Sequence, residues 1–128
     1  MGGLKTIHVV FAKWCPHCVP ATVEPLKAAA KEAGLELRLY DIDDPRAGSE
    51  ADELVRKWGD WAKDYIIPQV FFEYADSRIE HVMTGFSEGV PFTERAVRSL
   101  IETRLKGRAA NQGRRRESGD VLPDAEMP

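Results

Sequence analysis

At 128 residues with 43% hydrophobic side chains, the chain has the length of one domain and enough apolar material to bury a core, which excludes global disorder. A formal charge of -3 gives no general electrostatic case for binding nucleic acid. The longest apolar run, Ile7 to Ala12 interrupted by His8, is far too short to cross a bilayer.

The first expected element is a short buried strand over Thr6 to Phe11, carried by β-branched Ile7, Val9 and Val10. From Pro16 the pattern turns helical: Val19, Val23, Leu26, Ala30 and Ala33 stripe one face, and Gly34 supplies the stop. Pro20 and Pro25 fall inside this expected helix and should bend it, each lacking the N–H of a ladder hydrogen bond. Leu35 to Ile42 alternates leucines with Glu36, Arg38 and Tyr40, the signature of a second strand, which Asp43-Asp44-Pro45 ends in a turn.

Ser49 followed by Asp52 resembles a capping box, so a second helix is expected to open there. Its stripe is Ala51, Leu54, Val55, Trp58, Ala62 and Tyr65, which puts Trp58 in the core and Trp61 just off the stripe. Gly59 weakens the middle of it by about 1 kcal/mol relative to alanine. Val70 to Tyr74, the turn Ala75-Asp76-Ser77, and Arg78 to Met83 read as a hairpin. Gly85 and Gly89 bracket a loop. A last helix then starts near Thr93, with Ala96, Val97, Leu100, Ile101 and Leu105 on one face.

The expected order is therefore β-α-β-α-β-β-α, an α/β fold in a domain of residues 1–106. Residues 107–128 have no aromatic side chain, three glycines and two prolines, and read as a disordered tail. The tail's four arginines, three of them Arg114-Arg115-Arg116, are balanced by Glu117, Asp120, Asp124 and Glu126, so a solvated segment is expected rather than an anion-binding one. No internal repeat is visible.

The chain has two cysteines, and they form the motif Cys15-Pro16-His17-Cys18. This spacing is too tight for a structural staple, whose stabilisation depends on closing a long loop. A zinc site wants four ligands, and His8, His17 and His81 do not supply the spacing; haem attachment wants histidine directly after the second cysteine, where Val19 stands. No metal and no cofactor are expected. A CxxC that follows a strand and opens a helix is the setting of a redox dithiol. There the helix N-terminus stabilises a thiolate at Cys15, His17 adds positive charge or a hydrogen bond, and Cys18, one turn on and deeper, resolves the mixed disulfide. His8 and His81 read as satisfied strand histidines.

Several segments then fall in one familiar order: Val9 to Cys18, Tyr40-Asp41-Ile42-Asp43-Asp44-Pro45, Ile66-Ile67-Pro68, and Thr84-Gly85-Phe86-Ser87-Glu88-Gly89. On these the chain resembles the thioredoxin superfamily over residues 5 to about 105. The resemblance implies a central mixed four-stranded sheet flanked by helices. It also implies that Trp14 flanks the nucleophile, that Pro68 is a cis-proline facing the dithiol, and that Thr84-Gly85 edges the substrate groove. The Ile67 backbone would then pair with an extended substrate strand.

The Pro16-His17 dipeptide is similar to that of periplasmic disulfide-forming oxidases of the DsbA type, whereas thioredoxins carry Gly-Pro. The single strand before the motif is closer to glutaredoxin in outline. Val9 stands where thioredoxins hold a buried carboxylate. Lys5 leads into a strand-like run and not a signal-peptide cleavage site, so a cytoplasmic protein is expected. The expected function is dithiol–disulfide exchange as a reductase of protein disulfides. The chain would work as a monomer fed by an unidentified reductant or reductase, with no membrane or nucleic acid partner. Glutathione-dependent chemistry, or a non-catalytic peptide- or metal-binding module, are the alternatives.

Overall fold

The computed structural model describes residues 3–85 and 89–106, so the loop residues Phe86, Ser87 and Glu88 and the expected tail lie outside the described residues. The order of elements is β1 (Leu4–Phe11), α1 (Val23–Ala33), β2 (Glu36–Asp41), α2 (Pro45–Trp58), β3 (Gln69–Tyr74), β4 (Ile79–Thr84) and α3 (Val90–Leu100), with a π-helical turn over Ile101–Lys106 continuing α3. Four strands form one mixed sheet in the order β2-β1-β3-β4, with β1 and β2 parallel and the other pairs antiparallel.

Alternation along β1 builds the two faces. Ile7, Val9 and Phe11 join Leu26 and Ala30 of α1 and Val97, Ile101 and Leu105 of the last helix in the larger core. Val10 points the other way, into a smaller core with Phe71 of β3 and Ala51 and Val55 of α2. The protein is thus an α/β fold of three layers, with α1 and α3 on one side of the sheet and α2 on the other.

Both early helices start elsewhere than expected. α1 begins at Val23 and not at the CxxC, because Pro20 has no N–H to continue the ladder after the turn that Cys18 and Val19 close on the Cys15 carbonyl. Pro25 sits in the first turn of α1, where its missing N–H is one the helix could not use, so no bend is required. α2 opens four residues before Ser49: the Asp44 carboxylate accepts from the Ala47 N–H at 2.8 Å and Pro45 takes the first helical position. It ends at Trp58 and not at Tyr65, and Trp58 is 43% exposed, not core. The next N–H, that of Asp60, goes to the Gln69 side-chain oxygen at 3.1 Å and not back into the helix. α3 starts at Val90, ahead of Thr93.

On the α2 face, buried His8 is satisfied on both ring nitrogens, with the Tyr40 hydroxyl 2.7 Å from Nδ1 and Glu73 Oε1 2.8 Å from Nε2. An ionised Glu73 can only accept, so Nε2 carries the hydrogen. This bond to His8, and after it the Lys5 charge, hold the Glu73 carboxyl below its ordinary value of 4.5. The Tyr74 hydroxyl, then Arg104, do the same for Glu80.

A carboxyl depressed in the folded state contributes stability that is present above its unfolded value and lost as pH falls through the folded one. The melting temperature should therefore drop as pH is lowered from about 5 through 4.5 and below. Thermal melts of a Glu73→Gln, Glu80→Gln variant should show a shallower acid slope than wild type. An unchanged slope would assign the acid loss to other groups.

Candidate active site

The register of the sheet brings the expected site residues to one end of it. Val10 near the end of β1 pairs with Gln69 at the start of β3, and Gln69 pairs with Thr84 at the end of β4. The segment after β1, with Cys15 to Cys18, the segment before β3, with Ile67-Pro68, and Gly85 after β4 therefore lie at the same end of the sheet. This is also the carboxyl end of the parallel β1–β2 pair, the end at which open α/β sheets hold their sites.

The cysteine loop is held by its own backbone. Cys15 N–H donates to the Ala12 carbonyl, Cys18 and Val19 N–H to the Cys15 carbonyl, and Thr22 and Val23 N–H to the Cys18 carbonyl. Buried Thr22 adds a 2.6 Å bond from its hydroxyl to the His17 carbonyl. Eight positions separate Cys15 from the first residue of α1, so the macrodipole of that helix does not reach it, because the field acts within the first turn.

Both cysteines are free thiols, three positions apart in this loop. Cys15 is 6% exposed and Cys18 wholly buried. Burial pushes the Cys18 thiol far above its ordinary value, the neighbouring Cys15 adds to this, and an N–H from Ala12 works in the opposite direction. Cys18 is thus the deeper of two buried thiols, and its burial favours the protonated form.

His17 is half-buried, and one of its ring nitrogens has a partner on α3. Its Nδ1 is 2.7 Å from the Thr93 hydroxyl of α3, so that nitrogen is taken by a residue 76 positions away. Pro16 is exposed between them. Trp14 stands out from the loop at 67% exposure, its indole N–H donating to Asp43 Oδ2 at 2.8 Å, which ties the cysteine loop to the β2–α2 turn.

Across the site the Ile67–Pro68 peptide is cis, as the resemblance implied, and so is Val19–Pro20. Gly85 N–H donates to the Pro68 carbonyl at 2.8 Å, and a β-carbon on Gly85 would lie 2.7 Å from Pro68 Cδ and 2.9 Å from the Ile67 carbonyl oxygen. Only glycine lets the two segments approach so closely. Thr84 does not offer its hydroxyl to a groove. It donates to Asp60 at 2.8 Å and accepts from His81 Nε2 at 2.7 Å, on the α2 side.

Two residues went unnoticed in the sequence. Gln69, wholly buried, accepts from Asp60 N–H and donates to the Asp60 and Ile66 carbonyls, which fastens the 60–66 loop to β3 just before Ile67-Pro68. Thr93, also wholly buried, holds His17. Its position four before Val97 on the buried stripe was the available signal. Among the described residues, no three histidine, cysteine, aspartate or glutamate side chains converge as a metal would require. No helix among them is long and apolar enough to cross a membrane.

The burial of Cys18 has a direct chemical consequence. In a Cys15→Ser variant, iodoacetamide should alkylate Cys18 at least about 100-fold more slowly in the folded protein than in urea, since the thiolate is the reacting form and both access and ionisation are suppressed. Mass spectrometry over time measures it, and equal rates in the two states would show that the thiol is open. Comparison of the chain with protein-family models, with curated proteins and with solved structures finds no match.

Proposed function

We propose that the protein is a thiol–disulfide oxidoreductase of thioredoxin-like fold that exchanges electrons between the Cys15–Cys18 pair and disulfides of protein substrates. The observation that carries this reading is the pair itself: two free, buried thiols three positions apart at the carboxyl end of the parallel strands, where Ile67-Pro68 and Gly85 also lie.

In the reducing direction, the Cys15 thiolate attacks one sulfur of a substrate disulfide. A mixed disulfide forms and the other substrate sulfur leaves as a thiolate. Cys18 then gives up its proton and attacks the Cys15 sulfur. The second substrate thiol is released, and two electrons have passed from the dithiol to the substrate. A small thiol or a dithiol reductant returns the Cys15–Cys18 disulfide to the dithiol.

No carboxylate stands at Val9, which is wholly buried, so Cys18 loses its proton without a side-chain base at that position. Burial holds the Cys18 thiol in its protonated form, so it must give up that proton once the mixed disulfide has formed before it can attack. The test is reduction of insulin disulfides with dithiothreitol as donor. The wild-type chain should accelerate precipitation of the released insulin chain well above dithiothreitol alone. Absence of turnover with any reductant would leave a binding module in place of an enzyme.

A further inference from the structure

Resting on the dithiol reading, we infer that Thr93 is a positioning residue that holds His17 and through it sets the redox poise of the Cys15–Cys18 couple.

Three observations support this. Thr93 belongs to α3, remote in sequence, yet its hydroxyl is brought to 2.7 Å from Nδ1 of the one ionisable side chain between the two cysteines. The residue is wholly buried, as are its stripe neighbour Val97 and Cys18, so water is a poor substitute for the hydroxyl. A hydroxyl also suits either state of the ring, donating to Nδ1 of a neutral imidazole or accepting from Nδ1–H of an imidazolium. With Nδ1 committed, the ring acts on the dithiol only through its other nitrogen and its charge.

Thr93→Val keeps the shape and removes the partner. The ring then loses the bond that orients it. When charged, it also loses the acceptor for a charge-assisted hydrogen bond, the stronger of the two kinds. A ring no longer held in one orientation between the two cysteines stabilises a thiolate less, hence the reduced form less, and the couple becomes more reducing.

The experiment equilibrates the full chain with glutathione buffers and reads the fraction of Cys15–Cys18 disulfide by alkylation and mass. Thr93→Val should shift the equilibrium constant toward disulfide by about tenfold, equivalent to about 30 mV for a two-electron couple. Thr93→Ser should stay within about twofold of wild type, because it restores the hydroxyl. The decisive measurement is the cycle with His17→Ala: in that background Thr93→Val should shift nothing, since the residue acts through the imidazole. If Thr93→Val does not fold, Thr93→Ala carries the same cycle.

An unchanged constant in Thr93→Val, or the same shift with and without His17, would overturn the inference and leave the dithiol reading intact. A wild-type chain that forms no Cys15–Cys18 disulfide at any glutathione ratio would overturn both.

Discussion

Gly59→Ala is expected to destabilise the protein by about 3 kcal/mol or more, although nothing in the Gly59 backbone demands glycine. Its φ of −112° is open to any residue, and replacing glycine at such a position ordinarily gains about 0.4–1 kcal/mol by restricting the unfolded chain. Crowding decides the outcome instead. A β-carbon there would lie 2.5 Å from Gln69 Oε1 and 2.7 Å from Phe71 Cζ. Both are side-chain tips, which elsewhere would swing aside. Here both residues are wholly buried, Phe71 in the α2 core and Gln69 pinned by its three bonds to the 60–66 loop.

Moving Phe71 overpacks a core at about 1–3 kcal/mol. Moving Gln69 strands buried backbone groups at about 1–3 kcal/mol each. Either exceeds the entropic gain. At roughly 4 °C per kcal/mol for a domain of this size, the melting temperature should fall by about 12 °C. Gly34 is the control: its φ of 71° is left-handed but no atom lies within 4 Å of a β-carbon there, so Gly34→Ala should cost only about 1 kcal/mol. A melt in which Gly34→Ala is the worse of the two would refute the crowding argument.

The same glycine shows how far periodicity carries and where it stops. Strands, the hairpin turn and the last helix were legible because their signals are local: alternation in β1, Asp and Ser between β3 and β4, a step of four from Val97 to Leu105. The stripe Ala51, Leu54, Val55, Trp58, Ala62, Tyr65 was equally regular, yet the helix stops at Trp58. What stops it is Gln69, nine residues beyond Asp60, whose side-chain oxygen takes the Asp60 N–H that would have bonded back into α2. A contact of that kind leaves no trace in spacing.

The cysteine loop follows the same logic. Apolar steps of three and four from Val19 to Ala33 suggested one helix from Pro16, and Pro20 overruled them by withholding a single N–H. With the helix start moved to Val23, the argument from its dipole no longer applies to Cys15, whereas the relative depth of Cys15 and Cys18 survives because it depends on the position of the loop over the core. The pairing of His17 with Thr93 lay beyond reach: it requires knowing that α3 packs beside α1, a fact of topology and not of either segment.

The largest effect expected anywhere in the chain is at Cys15. Cys15→Ser should abolish disulfide reduction, by at least about 10³-fold, the scale on which removal of a nucleophile acts, because a hydroxyl at that position does not displace a thiolate from sulfur. Cys18 does not rescue it, being wholly buried with its thiol held protonated. The reciprocal change is best made as Cys18→Ala, since a serine hydroxyl in that site would be a buried polar group in need of a new partner. That variant keeps the attacking sulfur and lacks the resolving one. It should consume one equivalent of substrate disulfide, release one substrate thiol, and stop as a mixed disulfide through Cys15 that only an added thiol can clear. Intact-mass measurement after mixing with a model disulfide distinguishes the cases in one step: an adduct on Cys18→Ala, none on Cys15→Ser, and none persisting on wild type. An adduct that accumulates on Cys15→Ser would reverse the roles, with Cys18 reaching substrate first, and would mean that the loop opens to expose it.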